Sequence, residues 1–239
     1  MGLGFVDLHL HLLPGVDDGC KTLDESLEMA RVLIGLGFTT VAPSPHNRPE
    51  YAPAEKAVAA LETVRLALLE KGLRLGLEVN AENFFLDETL LSTLTRRIGA
   101  AGKYLLVEAP YTAPLPALSD QIFRMKLKGV TPVIAHPERC FEFEKKGRAE
   151  QVVELGAVLQ LDMGALNGRY GKNAQRLSRQ FLDAGLYGIA ATDLHSPVGA
   201  AGWVGDSLKA IEKYGGKGSL ERLVSTNPAA ILAGKPIAY

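Results

Sequence analysis

A chain of 239 residues can be one large domain with a sizeable core, and its 47% hydrophobic and 22% charged residues are the ordinary balance of a globular protein. A net charge of −1 gives no chain-wide attraction to nucleic acid or to an anionic membrane, so affinity for an anion must come from a local site. The start, MGLGFVDLHLH, lacks the basic and long apolar parts of a signal peptide, Val6 stands where myristoylation wants Ser or Thr, no apolar run approaches a membrane span, and Cys20 and Cys140 are too few for a disulfide framework; the expected location is a reducing cytoplasm.

Apolar runs alternate with amphipathic ones along the chain. Residues 5–9 read as a strand, and residues 23–36 as a helix opened by a capping box, Thr22 with Glu25 three residues on. Residues 39–44 read as a strand, and 53–71 as a helix with Pro53 near its first turn. A strand over 73–81 is followed by a helix over 87–97, and a strand over 104–108 by a helix over 117–128 that Gly129 ends. Strands over 132–136 and 158–161 precede helices over 149–155 and 173–184, ended by Gly156 and Gly185. The seventh strand is 189–192, and helices over 203–214, 220–224 and 228–232 close the chain.

Seven strand–helix repeats imply a parallel sheet buried on both faces, either an open doubly wound sheet or a barrel. An open sheet binds its ligand at one switch point, whereas a barrel gathers the C-terminal ends of all its strands around one site. Here nearly every strand end carries a ligand-type residue. The expected fold is therefore α/β, a distorted (β/α)7 TIM-like barrel, with one domain over residues 1–239. Long loops are expected at 47–53, 110–116 and 141–148, all on the same mouth.

The five histidines, His9, His11, His46, His136 and His195, all lie at or just past strand ends. Strand one delivers Asp7, His9 and His11, and residues two apart on a strand share a face. The third strand ends between Glu78 and Glu82, the fourth at Glu108, the seventh at Asp193, and Asp17-Asp18-Gly19 lies in the first loop. Each residue alone has a plainer explanation: a strand-end histidine is usually structural, and Asp17 and Asp18 suit a turn before Gly19. Jointly they do not, because charged groups are rarely buried among Leu, Val and Ile unless paired or ligated. This set is too large for one zinc, and mixed imidazole and carboxylate ligation suits two or three ions such as manganese, iron or zinc. Other phosphatase and hydrolase chemistries lack their signatures. Ser26 and Lys146 stand where a cysteine phosphatase needs arginine, and there is no Gly-x-Ser-x-Gly elbow and no P-loop.

The strings VDLHLHLLPGVDDG, SPH, AEN, LLVEAP, TPVIAHPER and IAATDLHS, in this order, resemble the polymerase and histidinol phosphatase (PHP) superfamily. With KTLDESLEMA and the terminal NPAAIL, the chain is more narrowly similar to the manganese-dependent protein-tyrosine phosphatases of bacterial capsule and exopolysaccharide loci, over essentially its whole length. The resemblance implies three metal ions. His9, His11, Glu82 and Asp193 would hold one; Glu82, Glu108 and His136 a second, with Glu82 bridging; Asp18, His46 and His195 the third. Glu82 is favoured over Glu78 because it follows Ala81 and precedes Phe84-Phe85, approximately as the family's bridging glutamate does, with Asn83 as a small departure.

The implied reaction is direct hydrolysis of phosphotyrosine in a protein by a metal-bridged hydroxide, without a phosphoenzyme. His136 is a catalytic candidate. Arg139, three residues past His136, is the candidate for a bidentate phosphate contact, and Arg48, two past His46, the second. Tyr111, Phe141 and Tyr170 either flank the substrate ring or pack against the protein. The implied partner is a bacterial tyrosine autokinase of capsule or exopolysaccharide synthesis, with no nucleic acid and no membrane insertion. Alternatives are another PHP phosphoesterase, acting on histidinol phosphate or a small nucleotide, or a non-catalytic partner of polysaccharide assembly. The DDG loop argues against histidinol phosphatase, and the intact ligand set against a non-catalytic partner.

Overall fold

The computed structural model describes residues 4–85 and 97–239. The helix expected over 87–97 thus lies, but for Arg97, outside the described residues. The described strands are β1 (Phe5–Asp7), β2 (Phe38–Val41), β3 (His46–Asn47), β4 (Gly76–Leu77), β5 (Glu82–Phe84), β6 (Tyr104–Glu108), β7 (Thr131–Ala135), β8 (Val158–Asp162) and β9 (Tyr187–Ala191). All pairings are parallel: β1-β2-β4 form one ladder and β3-β5-β6-β7-β8-β9 another.

The two ladders are arcs of one barrel. β2 and β3 are successive halves of one strand, as are β4 and β5, which leaves seven strands around the circle. Between β2 and β3 lie Pro43 and Pro45, which lack the N–H a ladder needs. The strands expected over 39–44 and 73–81 are thus shorter than expected, β2 and β4, and each is followed beyond its expected end by a second segment, β3 and β5. Closure runs between the ends of the chain: Asp193 N donates to His9 O at 2.8 Å and His11 N to Leu194 O at 2.9 Å. Asp7 reinforces it. Its Oδ1 accepts from His9 N at 3.1 Å and Thr192 N at 3.3 Å, and its Oδ2 from the Thr192 hydroxyl at 2.6 Å.

Helices α1 (Leu23–Gly35), α2 (Ala54–Glu70), α3 (Leu118–Leu127), α4 (Arg148–Glu154), α5 (Gly171–Asp183) and α6 (Ala200–Gly215) surround the strands. Thr22 Oγ1 accepts from Glu25 N at 3.2 Å, as expected of an N-cap. Glu25 Oε2, however, accepts from Lys21 N at 2.6 Å, one residue earlier than a reciprocal box requires. Among the described residues no helix is long and apolar enough to cross a membrane.

Alternate strand residues belong to different cores. Leu105, Val107, Ile134, Leu159 and Leu161 join helix residues such as Ile122, Met125 and Leu177 in the larger outer core. Tyr104, Leu106, Val133, Ala135, Val158 and Ile189 form a smaller core with Val6 and Leu8, inside the barrel. The C-terminal segment covers the bottom of this inner core: Tyr104 OH donates to Lys235 O at 2.8 Å and Asn227 Nδ2 to Gly188 O at 2.7 Å. Going up, the next inward position on β6 is Glu108 and on β8 they are Gln160 and Asp162, all buried. The interior is thus apolar at its floor and polar at the C-terminal mouth, where barrel enzymes place their sites.

Candidate metal centre

All nine sequence-predicted ligands converge at this mouth. Four groups bring their donor atoms within 4.8 Å of one another: His11, Asp18, His46 and His195; His9, His11 and Asp193; His9, Glu82 and His136; His46, Glu82 and Glu108. Glu82, the inward residue that opens β5, lies at the centre. Its Oε1 is 3.4 Å from His9 Nε2 and 3.0 Å from His136 Nε2, and its Oε2 is 2.8 Å from His46 Nδ1. Glu78 contributes no ligand to these groups. His136 and Glu108, expected together, stand in different groups about Glu82. Asp193 Oδ1 lies 3.2 Å from His9 Nε2 and 3.4 Å from His11 Nε2. Asp18 Oδ1 is 3.4 Å from both His46 Nε2 and His195 Nε2, and with side-chain exposures of 51%, 12% and 34% this corner faces solvent.

The chain spends backbone strain to aim two of these groups. Among the described residues, the non-glycine positions in the left-handed region are His136 (φ 35°) and Asp193 (φ 51°). Such geometry costs about 1–3 kcal/mol per residue and persists where the surroundings impose it. Gly19 serves the same end by its smallness. A Cβ there would come within 2.2 Å of His11 O, so only glycine lets the DDG loop fold back on the segment that follows β1.

Further partners hold the rings. His11 Nδ1 donates to Asp17 Oδ2 at 2.7 Å, His9 Nδ1 to Gln160 Oε1 at 2.8 Å, and His195 Nδ1 to Asp193 O at 2.9 Å. Each bond keeps Nδ1 as the donor and leaves Nε2 as the atom turned to the cluster. Asp17 stood out in the sequence only together with Asp18, as a ligand-type or turn residue of the first loop, with no role of its own. Gln160 was not singled out, although a lone amide in the apolar run VLQL is the kind of signal that marks an inward polar position.

The donor set fits divalent cations. His9 Nε2, His11 Nε2, His46 Nδ1 and Glu82 Oε2 are buried without a hydrogen bond, the last two close to each other but not in hydrogen-bonding geometry, a costly state for polar atoms that a metal ion would relieve. The electrostatics agree. Burial lowers His9, but Glu82 and Asp193 outweigh it and raise it to about 10; burial lowers His11, but Asp17 and Asp193 carry it to about 9. Burial likewise lowers His46, and Asp18 and Glu82 raise it to about 10. A field that holds protons this firmly favours any small cation. His136 is the exception: burial takes it down to about 4, with Arg139 adding to the fall and Glu82 opposing it.

Arg139 and Arg48 flank the cluster. Arg139 Nη1 donates to Asp162 Oδ2 at 3.0 Å and to Asp193 Oδ2 at 2.5 Å. Its guanidinium carbon lies 4.0 Å from the Tyr170 ring centre and 4.9 Å from that of Tyr111. These tyrosines therefore stack on a site arginine instead of packing into the core, while Phe141 is exposed at the rim. Beyond Arg139 a cavity of 240 Å³ is lined by Tyr111, Glu138, Arg139, Glu144, Tyr170 and Asn173. Arg48 contacts Glu108 Oε1 and lies 4.2 Å over the Phe84 ring. Both cysteines are buried and free, and burial pushes the Cys20 thiol up to about 11 and the Cys140 thiol higher still, so neither is a ready thiolate nucleophile.

Comparisons with known proteins agree with this geometry. Tyrosine-protein phosphatase YwqE of Bacillus subtilis (strain 168) is 30% identical over 238 residues, 97% of this chain and 93% of its own length. Tyrosine-protein phosphatase CpsB of Streptococcus pneumoniae is 25% identical over 238 residues, 95% and 98% of the two chains. Crystal structures of YwqE from Bacillus subtilis and CpsB from Streptococcus pneumoniae are described as those of unique metal-dependent tyrosine phosphatases. A chain from them superposes with a TM-score of 0.86 at 28% identity, covering 98% of this chain and 96% of that one. Histidinol phosphate phosphatase of Lactococcus lactis shares the fold, with a TM-score of 0.57 at 10% identity over 95% of this chain and 98% of its own. The family described as capsular polysaccharide synthesis, CpsB/CapC, matches residues 5–233. A distorted (β/α)7 barrel whose mouth gathers this ligand set, matched along nearly its whole length, is a member of the CpsB/CapC family.

Proposed function

We propose that this chain is a metal-dependent protein-tyrosine phosphatase. The observation that carries the reading is the cluster of buried, unpartnered imidazole and carboxylate atoms around Glu82 in a chain so similar to tyrosine phosphatases. His9, His11, Glu82 and Asp193 would hold one ion, Glu82, Glu108 and His136 a second, and Asp18, His46 and His195 a third. Manganese is the proposed ion, with iron or zinc as substitutes; imidazole and carboxylate together suit all three. Bound ions supply a water of lowered pKa and a positive field over the phosphoryl oxygens.

The chain's own residues do the rest. Asp17, Gln160 and the Asp193 carbonyl hold the rings of His11, His9 and His195 in one tautomer. Arg139, stacked between Tyr170 and Tyr111, contacts the phosphoryl oxygens, with Arg48 as the second cation. A leaving phenolate, with a pKa of about 10, needs less help from a general acid than an alkyl alkoxide does. With both thiols buried and protonated, the hydrolysis is direct. The proposed substrate is a phosphotyrosine protein, a bacterial tyrosine autokinase of capsule or exopolysaccharide synthesis, met in the cytoplasm.

Assay of phosphotyrosine peptide, histidinol phosphate, nucleotides and an oligonucleotide, each with manganese and with chelator, tests this reading. Manganese-dependent turnover of the phosphotyrosine peptide is expected. Turnover of histidinol phosphate or of the oligonucleotide alone would overturn it.

A further inference from the structure

Arg139 is held from three sides, yet both of its carboxylate bonds fall on a single nitrogen, Nη1. Its Nε and Nη2 make no hydrogen bond among the described residues. Those two nitrogens form the side-on fork with which a guanidinium takes two oxygens of a phosphate. The orientation of that fork is set by whatever grips Nη1 and by the two tyrosine rings against which the guanidinium lies.

The two carboxylates on Nη1 are not equivalent. Asp193 turns its Oδ1 to His9 and His11, at 3.2 and 3.4 Å, so its charge is shared with the candidate metal corner. Asp162 lies near enough to Asp193 for the two charges to repel, but its hydrogen bonds go to Gly164 and Arg139. Its Oδ1 accepts from Gly164 N at 3.0 Å and its Oδ2 from Arg139 Nη1, so each oxygen faces an N–H donor. Its backbone is fixed in turn: Asp162 N donates to Glu138 Oε1 at 2.8 Å, and Tyr187 OH to Glu138 Oε2 at 2.8 Å. Asp162 is thus fixed at the end of β8, with its Oδ2 aimed at one guanidinium nitrogen.

We propose that Asp162 is the positioning residue for Arg139: it grips Nη1 so that the Nε–Nη2 edge is presented to the phosphoryl group of the substrate. The inference rests on the phosphatase reading of the site. Without Asp162 the guanidinium is left to Asp193 alone, and the orientation of its fork is no longer fixed.

A double-mutant cycle tests this. Wild type, Asp162→Ala, Arg139→Ala and the double variant are compared for kcat/KM on p-nitrophenyl phosphate with manganese. The binding constant of inorganic phosphate, the manganese content and Tm are measured for each. Asp162→Ala should weaken both kcat/KM and phosphate binding by roughly 10- to 100-fold, the range for a lost charge-assisted hydrogen bond, with manganese content unchanged. The double variant should be no worse than Arg139→Ala, because the two residues act as one unit. Asp162→Asn, which keeps an acceptor for the Gly164 amide, covers the case in which the alanine variant fails to fold; it should show the same coupling with a smaller loss. Phosphate binding unchanged in Asp162→Ala, or in Asp162→Asn should the alanine variant not fold, or losses that multiply in the double variant, would overturn the positioning role. If wild type itself turns over no aryl phosphate, the phosphatase reading falls instead, and the phosphate-binding cycle still decides the role of Asp162.

Discussion

Replacing Asp17 by asparagine changes one charge and almost no volume, and it strikes the metal centre from behind. In the native site Asp17 Oδ2 accepts from His11 Nδ1 at 2.7 Å and from His46 N at 3.2 Å, while Oδ1 accepts from Gly19 N at 2.9 Å. Asparagine can serve Gly19 with its carbonyl, but its amide then points an N–H₂ at two other donors. His11 loses the partner that fixes its tautomer and raises its basicity. Removing such an outer partner lowers metal affinity by about 10- to 100-fold, or roughly 1.4–2.7 kcal/mol. The expected outcome is that loss in manganese affinity, measured by competition with a calibrated chelator, with far-ultraviolet circular dichroism unchanged. An affinity within twofold of wild type would show that Asp17 is only a turn residue and that the tautomer argument is wrong.

His136→Ala should abolish turnover of phosphotyrosine peptide while the fold persists; retention of most activity would remove His136 from the site. At pH 7 manganese loading should release protons, because His9, His11 and His46 are held at about 10, 9 and 10 in the ion-free protein and must deprotonate to bind. His136, at about 4, should release none. Affinity should accordingly fall as the pH falls, and calorimetry in two buffers of different ionisation enthalpy would expose the opposite case as no buffer dependence. Asp7→Ala should cost roughly 3 kcal/mol or more, since it strands two backbone amides and the Thr192 hydroxyl. A denaturation midpoint shift worth less than 1 kcal/mol would mean that water replaces the lost carboxylate.

What the sequence made legible is what strand periodicity carries. Histidines and carboxylates at the ends of apolar runs marked the mouth, and the seven repeats marked a barrel. Loop geometry was not legible. Asp17 and Asp18 are neighbours in the chain, yet one turns in to His11 and the other out to His46 and His195, a difference made by the fold of the loop over Gly19. Arg139 was singled out for its spacing from His136, but nothing near it in sequence pointed to Asp162, which reaches it from the next strand. The divided second strand follows from Pro43 and Pro45, whose missing amides were visible in the sequence. Glu25 was expected to cap the Thr22 amide and caps Lys21 instead, a one-residue slip that pattern alone does not resolve.

The bond from Asp7 to Thr192 spans 185 positions of chain, and it gives the molecule a particular order of assembly. His9 and His11 leave the ribosome first, while Asp193 and His195 arrive last. Contacts of such long range form late and slowly. Ion binding that needs both ends therefore rewards only the closed barrel, so manganese should act as a clasp on the whole domain: chelation should lower the melting temperature of the entire barrel in one cooperative step, not loosen the mouth alone.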